Sequence, residues 1–472
     1  MYIEIDRNNR LSYKKQLYDI FTSKILKGEY RKGEKLPSSR VLADQLNISR
    51  NTVTEIYDQL IAEAYLEARK GKGTYVSDLE TVSVLPKIKD SLVLSEEMDV
   101  VDAISFVPGT PDLDAFPKKV WMDAERKYLF DHGGELLGYQ DSFGYIPLRK
   151  AIADYLYKHK GIQCSYEQVM MTSGTKGALE LIALLFHKER RAALLESPGI
   201  GFAPDIFGVF DYRLYPLQVD DKGILVESFP QVTNGLLYAT PSHQFPLGGV
   251  LPIDRRQKLI DYAREHCHYI IEDDYDCEFR YNGAPVNSLY QLSGSRVIHI
   301  GTFSKTLAPA LQLGYMVLPF QLMEAFRILR SSLYQYPNQM VQCNVYDMFA
   351  SGTYEKHIYK TCKRYKRKIK LLSETISNTF GDTAIIYGAN VGMHICIRYP
   401  NMMFDEHAKE IFKFHGVDVE YTTEYQWENS GASDTLVIGF GHLSEQQITE
   451  GIKRLEKAIQ QIRSAQITVR EA

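Results

Sequence analysis

Apolar residues recur at helical spacing in three stretches near the start of the chain. Residues 11–28 carry the first pattern, which predicts a helix. Ser38 stands directly before a second pattern at residues 39–46, and Ser49 stands before a third that runs through residues 53–61. Because a serine hydroxyl accepts a hydrogen bond from a backbone N–H group at a helix start, both serines are predicted N-caps.

Two short segments that alternate apolar and polar residues follow the third helix. They lie around Tyr65–Ala68 and Thr74–Val76, and the basic, glycine-rich run Lys70–Gly73 joins them. Such a turn between alternating segments predicts a β-hairpin. The order of three helices and a hairpin makes residues 1–78 a predicted winged helix-turn-helix domain, which is a module that binds DNA.

The chain beyond this module alternates strand-like apolar runs with helical patterns, after a polar stretch at residues 79–101 that is interpreted as a linker. Alternation of this kind predicts an α/β domain with a mainly parallel sheet, here at residues 102–330. A helix-rich stretch with two later strands predicts a small α+β subdomain at residues 331–472. The strand-like runs are Val169–Met171, Ala192–Leu195, Leu236–Ala239, Tyr269–Ile271, Val297–Ile300, Met393–Ile397 and Thr435–Phe440.

Composition narrows the class of protein. Hydrophobic residues make up 44% of the 472 residues and charged residues 24%, as in soluble globular proteins. No apolar run approaches the ~18 residues that cross a bilayer, and the first residues lack the pattern of a secretory signal. The six cysteines form no CxxC pair, which favours reduced thiols over disulfides or a zinc site. These features predict a cytoplasmic protein with no membrane partner and no metal.

The start of the third helix carries groups suited to DNA. In a helix-turn-helix, the N-terminal residues of the second helix of the motif reach base edges in the major groove. Arg50 can bind a guanine edge with two hydrogen bonds, and Ser49 or Thr52 can bind phosphates. Arg40 in the preceding helix and Lys72 at the hairpin tip are further candidates. A packing module with solvated arginines is the alternative that the helical pattern leaves open.

Three motifs resemble the GntR type of winged helix. They cover about residues 11–77 and are Leu36–Arg40, Leu46–Val53 and Gly71–Val76. The resemblance implies an operator in double-stranded DNA as partner, contacted by Arg40, Arg50, Thr52 and Gly73. With the residues named above, the predicted DNA-binding set is Ser38, Arg40, Ser49, Arg50, Thr52, Lys72 and Gly73.

Two segments at predicted strand ends carry groups that suit a phosphorylated aldehyde cofactor. Lys305 ends the run Gly301–Lys305, where its amine can form a Schiff base while neighbouring hydroxyls bind a phosphate. Asp273 and Tyr275 follow another strand, where a buried carboxylate can keep a pyridine nitrogen protonated and a phenol can bond the ring's 3-oxygen. The alternatives are a surface lysine and a metal site or solvated acidic loop, although no histidine lies nearby at ligand spacing.

A third segment joins a predicted strand to an apolar helix and contains Gly174, Thr175 and Lys176. Free backbone N–H groups and the dipole at a helix start bind phosphate, and glycine allows the ligand to approach closely. All three segments follow strands, and ligands of open α/β sheets bind at the carboxyl ends of strands. The three segments are therefore expected to meet in one site.

Together the three segments resemble fold-type I aminotransferases over about residues 104–465. With the N-terminal module, the chain resembles the MocR/GabR branch of GntR regulators, which Tyr139–Gly144 and Thr240–Pro246 support specifically. The resemblance implies pyridoxal 5'-phosphate (PLP) as a Schiff base on the catalytic Lys305, with Asp273 on the pyridine nitrogen and Tyr275 on the 3-oxygen. The phosphate would be held by Gly174, Thr175, Lys176 and Thr302, and by Tyr139 of a second subunit, which implies a homodimer.

The chain departs from working aminotransferases at four positions. Gln312 replaces a phosphate-binding arginine, whose loss costs ~1.5–3 kcal/mol. Ile200 stands where an aromatic residue stacks on the ring, and Phe245 stands where an asparagine bonds the 3-oxygen. Val437 replaces the arginine that binds a substrate carboxylate. The MocR/GabR branch has a related arginine just upstream of this strand, and the corresponding position here is Glu424 or a residue near it. Since that arginine orients the amino acid, poor turnover is expected.

Three functions are compatible with these features. The first is a PLP-binding transcription regulator with little or no turnover, whose effector is PLP itself or an amino-acid-type amine held by Lys176, Arg213 or His243. The second is an active PLP-dependent aminotransferase, and the third is a regulator that uses the cofactor domain only as a dimerisation scaffold. The missing carboxylate arginine favours the first function and slightly favours PLP as the effector.

Overall fold

The chain divides into two compact units, Met1–Asp99 and Val100–Ala472. The structure is a computed structural model and describes residues 3, 5–7, 11–78, 103–282, 286–333, 336–428 and 431–471. The predicted linker at residues 79–101 lies outside these ranges. Among the helices described, none is both long enough and apolar enough to cross a membrane.

The first unit is a winged helix-turn-helix, as the sequence predicts. Ser38 and Ser49 cap the second and third helices, since each side chain accepts a hydrogen bond from a backbone N–H group in the first turn. Asn47, which has a left-handed φ of 52°, ends the second helix and lets the chain turn. The elements are α1 (Tyr13–Leu26), α2 (Ser39–Leu46), α3 (Arg50–Ala62), β1 (Leu66–Arg69) and β2 (Gly73–Val76).

Aromatic side chains hold this unit together. Phe21 of α1 is fully buried, and its ring centroid lies 5.9 Å from that of Tyr30 and 5.7 Å from that of Tyr57 in α3. The Tyr57 hydroxyl donates a hydrogen bond of 2.9 Å to the Pro37 carbonyl oxygen, which ties α3 to the segment before α2. The core therefore fixes α3 from behind and leaves the start of that helix exposed.

The second unit is built on an eight-stranded mixed sheet with the order β4-β11-β10-β9-β8-β5-β6-β7. Strands β6, β5, β8, β9 and β10 run parallel, which confirms the predicted parallel centre. Strand β11 is antiparallel to both of its neighbours, and β6 and β11 are strands that the sequence analysis missed. The strands are β4 (Val169–Thr172), β5 (Ala192–Ser197), β6 (Arg213–Asp220), β7 (Gly223–Ile224), β8 (Leu236–Ala239), β9 (Tyr269–Asp274), β10 (Val297–Thr302) and β11 (Gly314–Val317).

Helices bury both faces of this sheet. Successive residues of β4 belong to two separate buried cores, with Met170 in one core and Met171 in the other, because side chains alternate across a strand. The helices of the unit are α4 (Lys118–Leu136), α5 (Ile146–Lys160), α6 (Gly174–Phe186), α7 (Phe202–Val209), α8 (Ile253–Glu265), α9 (Leu289–Ser293), α10 (Met323–Leu333), α11 (Gln339–Ala350), α12 (Thr353–Phe380), α13 (Glu406–Phe414) and α14 (Glu445–Glu471).

A smaller antiparallel sheet with the order β12-β13-β16-β15 forms a third buried core with α12 and α14. A short parallel pair, β3 with β14, joins the start of the unit to this part of the chain. The remaining strands are β3 (Ile104–Ser105), β12 (Ile385–Tyr387), β13 (His394–Arg398), β14 (Val417–Asp418), β15 (Glu420–Tyr421) and β16 (Thr435–Gly439).

Candidate functional site

The start of α3 presents polar and cationic groups at the surface. Arg50 and Arg40 are both exposed, and neither forms an ion pair with any residue the structure describes. The Ser49 hydroxyl oxygen lies 2.8 Å from that of Thr52, beside Arg50. Guanidinium groups next to hydroxyls can bind phosphates and base edges. The geometry suits DNA, and the individual contacts stay predictions.

The hairpin that follows α3 has a basic tip. Its strands pair antiparallel with Arg69 opposite Gly73, and Lys72 in the turn is exposed. Gly73 has a φ of 111°, a conformation that favours glycine, and a Cβ atom there would lie 3.0 Å from the Lys35 Cε atom. Gly73 is thus required by the turn itself, whatever it contacts in DNA.

A cavity of about 710 Å³ opens at the carboxyl edge of the large sheet. Strands β9 and β10 are parallel, with Asp273 beside Ile300, so the segments that follow them reach the same edge. Strand β4 is also parallel to β10, because β11 is antiparallel to both. Every predicted cofactor residue except Tyr139 lines this cavity: Gly174, Thr175, Lys176, Asp273, Tyr275, Thr302 and Lys305.

Lys305 enters the cavity from the segment after β10. Its Nζ atom donates a hydrogen bond of 2.6 Å to the Gly109 carbonyl oxygen. Burial lowers the pKa of Lys305, although the carboxylates of Asp276 and Asp273 act in the opposite direction. A lower pKa increases the neutral fraction of the amine, which is the form that attacks an aldehyde. The environment of Lys305 therefore suits a Schiff base.

Asp273 lies in the cavity wall and is only 2% exposed. Its Oδ2 atom accepts a hydrogen bond of 2.6 Å from the Tyr238 hydroxyl, whereas Oδ1 has no partner among the described residues. Burial raises the pKa of Asp273 to about 7, and the Tyr238 hydrogen bond opposes this shift. A buried acceptor without a partner costs free energy, and the protonated nitrogen of a pyridine ring is a donor that would satisfy it.

The turn between β4 and α6 matches a phosphate group. Gly174 has a φ of 71°, and no atom lies within 4 Å of the position that a Cβ atom would take, so a ligand can approach. Ser173 and Ser304, which the sequence analysis did not include among the site residues, add hydroxyls to the same wall. Backbone N–H groups at a helix start, hydroxyls and the nearby Lys176 are the donors that bind phosphate. With the unpaired Asp273 oxygen, this wall fits PLP.

Tyr275 lines the cavity, but its hydroxyl is not free. It donates a hydrogen bond of 3.1 Å to the His243 carbonyl oxygen and lies 3.1 Å from His243 Nδ1. The same nitrogen lies 2.9 and 3.0 Å from the two carboxylate oxygens of Asp276. His394 approaches the same group, with ligand atoms of all three residues within 4.8 Å of one another. Histidines that are distant along the chain are therefore close in the fold.

Three of the four departures from aminotransferases lie in the cavity wall. Gln312 and Ile200 line it, and Phe202 lines it beside Ile200. Phe245 packs its ring edge-to-face against Tyr425, with 4.8 Å between the ring centroids. The wall on the side of the small sheet is thus aromatic.

Other residues that the sequence analysis connected with ligands do not line the cavity. Tyr139 is 96% exposed. Arg213 begins β6, which is parallel to β5, and so lies at the amino edge of the sheet, away from the cavity. His243 is engaged by a carboxylate, and Glu424 forms an ion pair with a lysine. Glu420, which the sequence analysis did not consider, lines the cavity instead.

Two families match the two units. Residues 13–76 match the family described as bacterial regulatory proteins, gntR family, and residues 102–455 match aminotransferase class I and II. The HTH-type transcriptional regulator YdeL of Bacillus subtilis is 34% identical over 94% of this chain and 96% of its own length. The chain belongs to the GntR family of regulators, with an aminotransferase class I and II domain fused to it.

Two further comparisons support both halves of the regulator. The probable rhizopine catabolism regulatory protein MocR of Rhizobium meliloti is 30% identical over 98% of the regulator and 96% of its own length. The multiple substrate aminotransferase of Thermococcus profundus has a TM-score of 0.71 and 25% identity, and covers 78% of the regulator and 93% of its own chain. The regulator therefore binds DNA through its winged helix, and its cofactor is PLP, which this aminotransferase family binds to a lysine as a Schiff base.

Asp273 should give the PLP-free regulator a specific pH dependence. The folded pKa of about 7 exceeds the unfolded value of ~3.9, so the folded state binds more protons between these values. The ionisation of Asp273 therefore lowers the free energy of unfolding as pH rises through this window. The loss is at most ~1.4 kcal/mol for each unit by which the folded and unfolded pKa values differ. An Asp273→Asn variant should gain stability relative to the wild type from pH 5 to pH 7 in parallel thermal melts. For the exposed Asp254→Asn variant, the difference in melting temperature from the wild type should stay constant over this pH range. A constant difference for Asp273→Asn as well would contradict the raised pKa of Asp273.

Proposed function

We propose that the regulator is a cytoplasmic homodimer that carries PLP on Lys305 and changes its affinity for an operator when PLP or a small amine binds. The observation that carries this proposal is the cavity in which Lys305, the unpaired Asp273 oxygen and a phosphate-binding helix start meet. Reduced thiols support the cytoplasm, since the six cysteines are free.

Each cavity residue has a defined task in this proposal. Lys305 would bind the aldehyde carbon, and Asp273 Oδ1 would accept a hydrogen bond from the ring nitrogen and keep it protonated. Gly174, Thr175 and Thr302 would hold the phosphate, and the Lys176 ammonium would balance its charge. When bound, PLP supplies a carbon that condenses with primary amines and a ring that withdraws electrons. The pocket residues thereby make the site responsive to amines.

Steady transamination is not part of the proposal. Among the described residues, no arginine lines the cavity to clamp a substrate carboxylate. Without such a clamp, an amino acid is poorly oriented for proton transfer, and orientation accounts for much of an enzyme's rate. Turnover of an amino-acid and keto-acid pair at ~1–10³ s⁻¹ would instead favour a working aminotransferase.

A second copy of the chain is proposed to complete the site. Tyr139 is almost fully exposed and follows α4 closely along the chain. The exposed apolar residues Met122, Phe130 and Leu137 lie on α4 or just beyond its end. Apolar side chains in such a group favour burial in an interface. A dimer would bring Tyr139 to the partner's phosphate site and would present two winged helices to two operator half-sites. An effector that changes how the two copies are held would change their fit to these half-sites.

Footprinting on the DNA next to the gene of this regulator tests the proposal. The full-length protein should protect a specific sequence with two half-sites, and PLP or an added amine should change the protection. Sequence-specific protection that neither PLP nor any amine alters would favour a cofactor domain that acts only as a dimerisation scaffold. Absence of specific protection under both conditions would refute the proposal.

A further inference from the structure

The charges that remain in the cavity after the cofactor groups are assigned are all negative. Lys176, Asp273 and Lys305 are assigned to PLP, which leaves Glu180 and Glu420 together with Asp276. Glu180 is exposed on α6. Both oxygens of Asp276 lie within hydrogen-bond distance of His243. Glu420 is the carboxylate that is left for a ligand.

Glu420 lies on the small sheet, next to the position where aminotransferases carry the arginine that binds a substrate carboxylate. It begins β15 and pairs directly with Val437 of β16 in the antiparallel register. Residues opposite each other in an antiparallel pair point to the same face, so Glu420 shares a face with Val437. Val437 is the residue that stands in place of the carboxylate-binding arginine. The charge on this face is therefore reversed from positive to negative.

The surroundings of Glu420 suit an ammonium ion. Glu420 is half-buried and forms no ion pair with any residue in the described ranges. The Tyr425 hydroxyl donates a hydrogen bond to Oε2, which holds the carboxylate in place and leaves Oε1 available. The rings of Tyr425 and Phe245 line the same part of the cavity. A carboxylate with aromatic neighbours is the combination that binds organic cations.

One end of the cavity suits the cofactor ring, because Asp273 there is 98% buried and its Oδ1 atom has no partner among the described residues. The volume of the cavity is about 710 Å³. Ligand pockets of ~300–1,000 Å³ hold drug-sized molecules, so a short-chain effector fits beside PLP. We propose that the effector is a primary amine with a second cationic group, as in a short aliphatic diamine, whose far ammonium binds Glu420. This inference rests on the proposed function, and it names the chemistry of the effector.

Three four-carbon amines test the inference on the PLP-loaded, full-length wild type. Putrescine has a second ammonium, n-butylamine has none, and γ-aminobutyrate has a carboxylate in that place. Calorimetric titration should give putrescine an affinity at least about tenfold higher than that of the other two, since a charge-assisted hydrogen bond in a partly buried site is worth that much. Equal affinities, or tighter binding of γ-aminobutyrate, would overturn the inference.

A Glu420→Gln variant locates the effect and keeps the shape of the side chain. It should lose about tenfold or more in putrescine affinity and leave n-butylamine affinity unchanged. Glu410→Gln removes the same charge from an exposed position on α13 and should behave as the wild type. Unchanged selectivity in Glu420→Gln would refute the role of this residue.

Loading with PLP is measured first, from the absorbance of each protein. Failure of the wild type to load would defeat the proposed function itself. Normal loading without a preference for putrescine would defeat only the inference about the effector.

Discussion

Replacing Lys305 by alanine is expected to abolish the Schiff-base absorbance band that PLP forms with the regulator and, with it, the response of operator binding to PLP or to an amine added with it. A Schiff base requires a primary amine on the protein, so the effect on the band is all or none. No other lysine of the cavity occupies this place, since Lys176 is exposed at the start of α6. Absorbance spectra recorded during titration with PLP measure the effect.

Lys176→Ala is the matched control within the same cavity. This variant should keep the absorbance band and lose about tenfold to hundredfold in PLP affinity, because it removes one charged donor from the phosphate site. The opposite pattern, with the band kept in Lys305→Ala and lost in Lys176→Ala, would show that the Schiff base forms on Lys176 and not on Lys305.

Replacing Arg40 and Arg50 together by alanine is expected to lower operator affinity about a hundredfold or more. Each arginine that binds a base edge contributes ~1–3 kcal/mol, and each phosphate contact adds to the dependence of binding on salt. Both side chains are exposed on α2 and α3 and have no ion-pair partner within the described ranges. Gel-shift titrations at two salt concentrations measure both the affinity and the salt slope.

Two lysines, one on α1 and one at its C-terminal cap, provide the control for net charge. Lys15→Ala with Lys27→Ala removes the same charge from the same unit, at exposed positions outside the helix-turn-helix. This control should weaken binding far less than the arginine pair. Equal losses in the two double variants would show that the arginines act only through net charge and do not read the operator.

Local signals explain why the winged helix was predictable from sequence. Ser38 and Ser49 begin α2 and α3 as expected, because an N-cap depends on neighbours only a few residues away. The central parallel strands β5, β8, β9 and β10 were equally visible, since strands buried on both faces are continuous apolar runs. Strand β6 was missed because most of its residues are only partly buried and a proline lies near its centre.

The cavity was predictable where strand ends determine it. Asp273 and Lys305 follow adjacent parallel strands, so sheet geometry brings them together. Glu420 and His394 come from the small sheet, and no local pattern indicates which of its residues face the large one. The histidine pair near Asp276 was missed for the same reason, because contacts between distant segments depend on tertiary packing.

The most direct test compares operator binding by the wild type and by Lys305→Ala across a titration with PLP, first alone and then with added putrescine. If PLP on Lys305 links an effector to DNA binding, the wild-type affinity changes as the Schiff-base band forms or as putrescine is added, while the affinity of Lys305→Ala stays constant. Operator affinity that changes to the same extent in both proteins, or that responds in the wild type neither to PLP nor to putrescine, would refute this link.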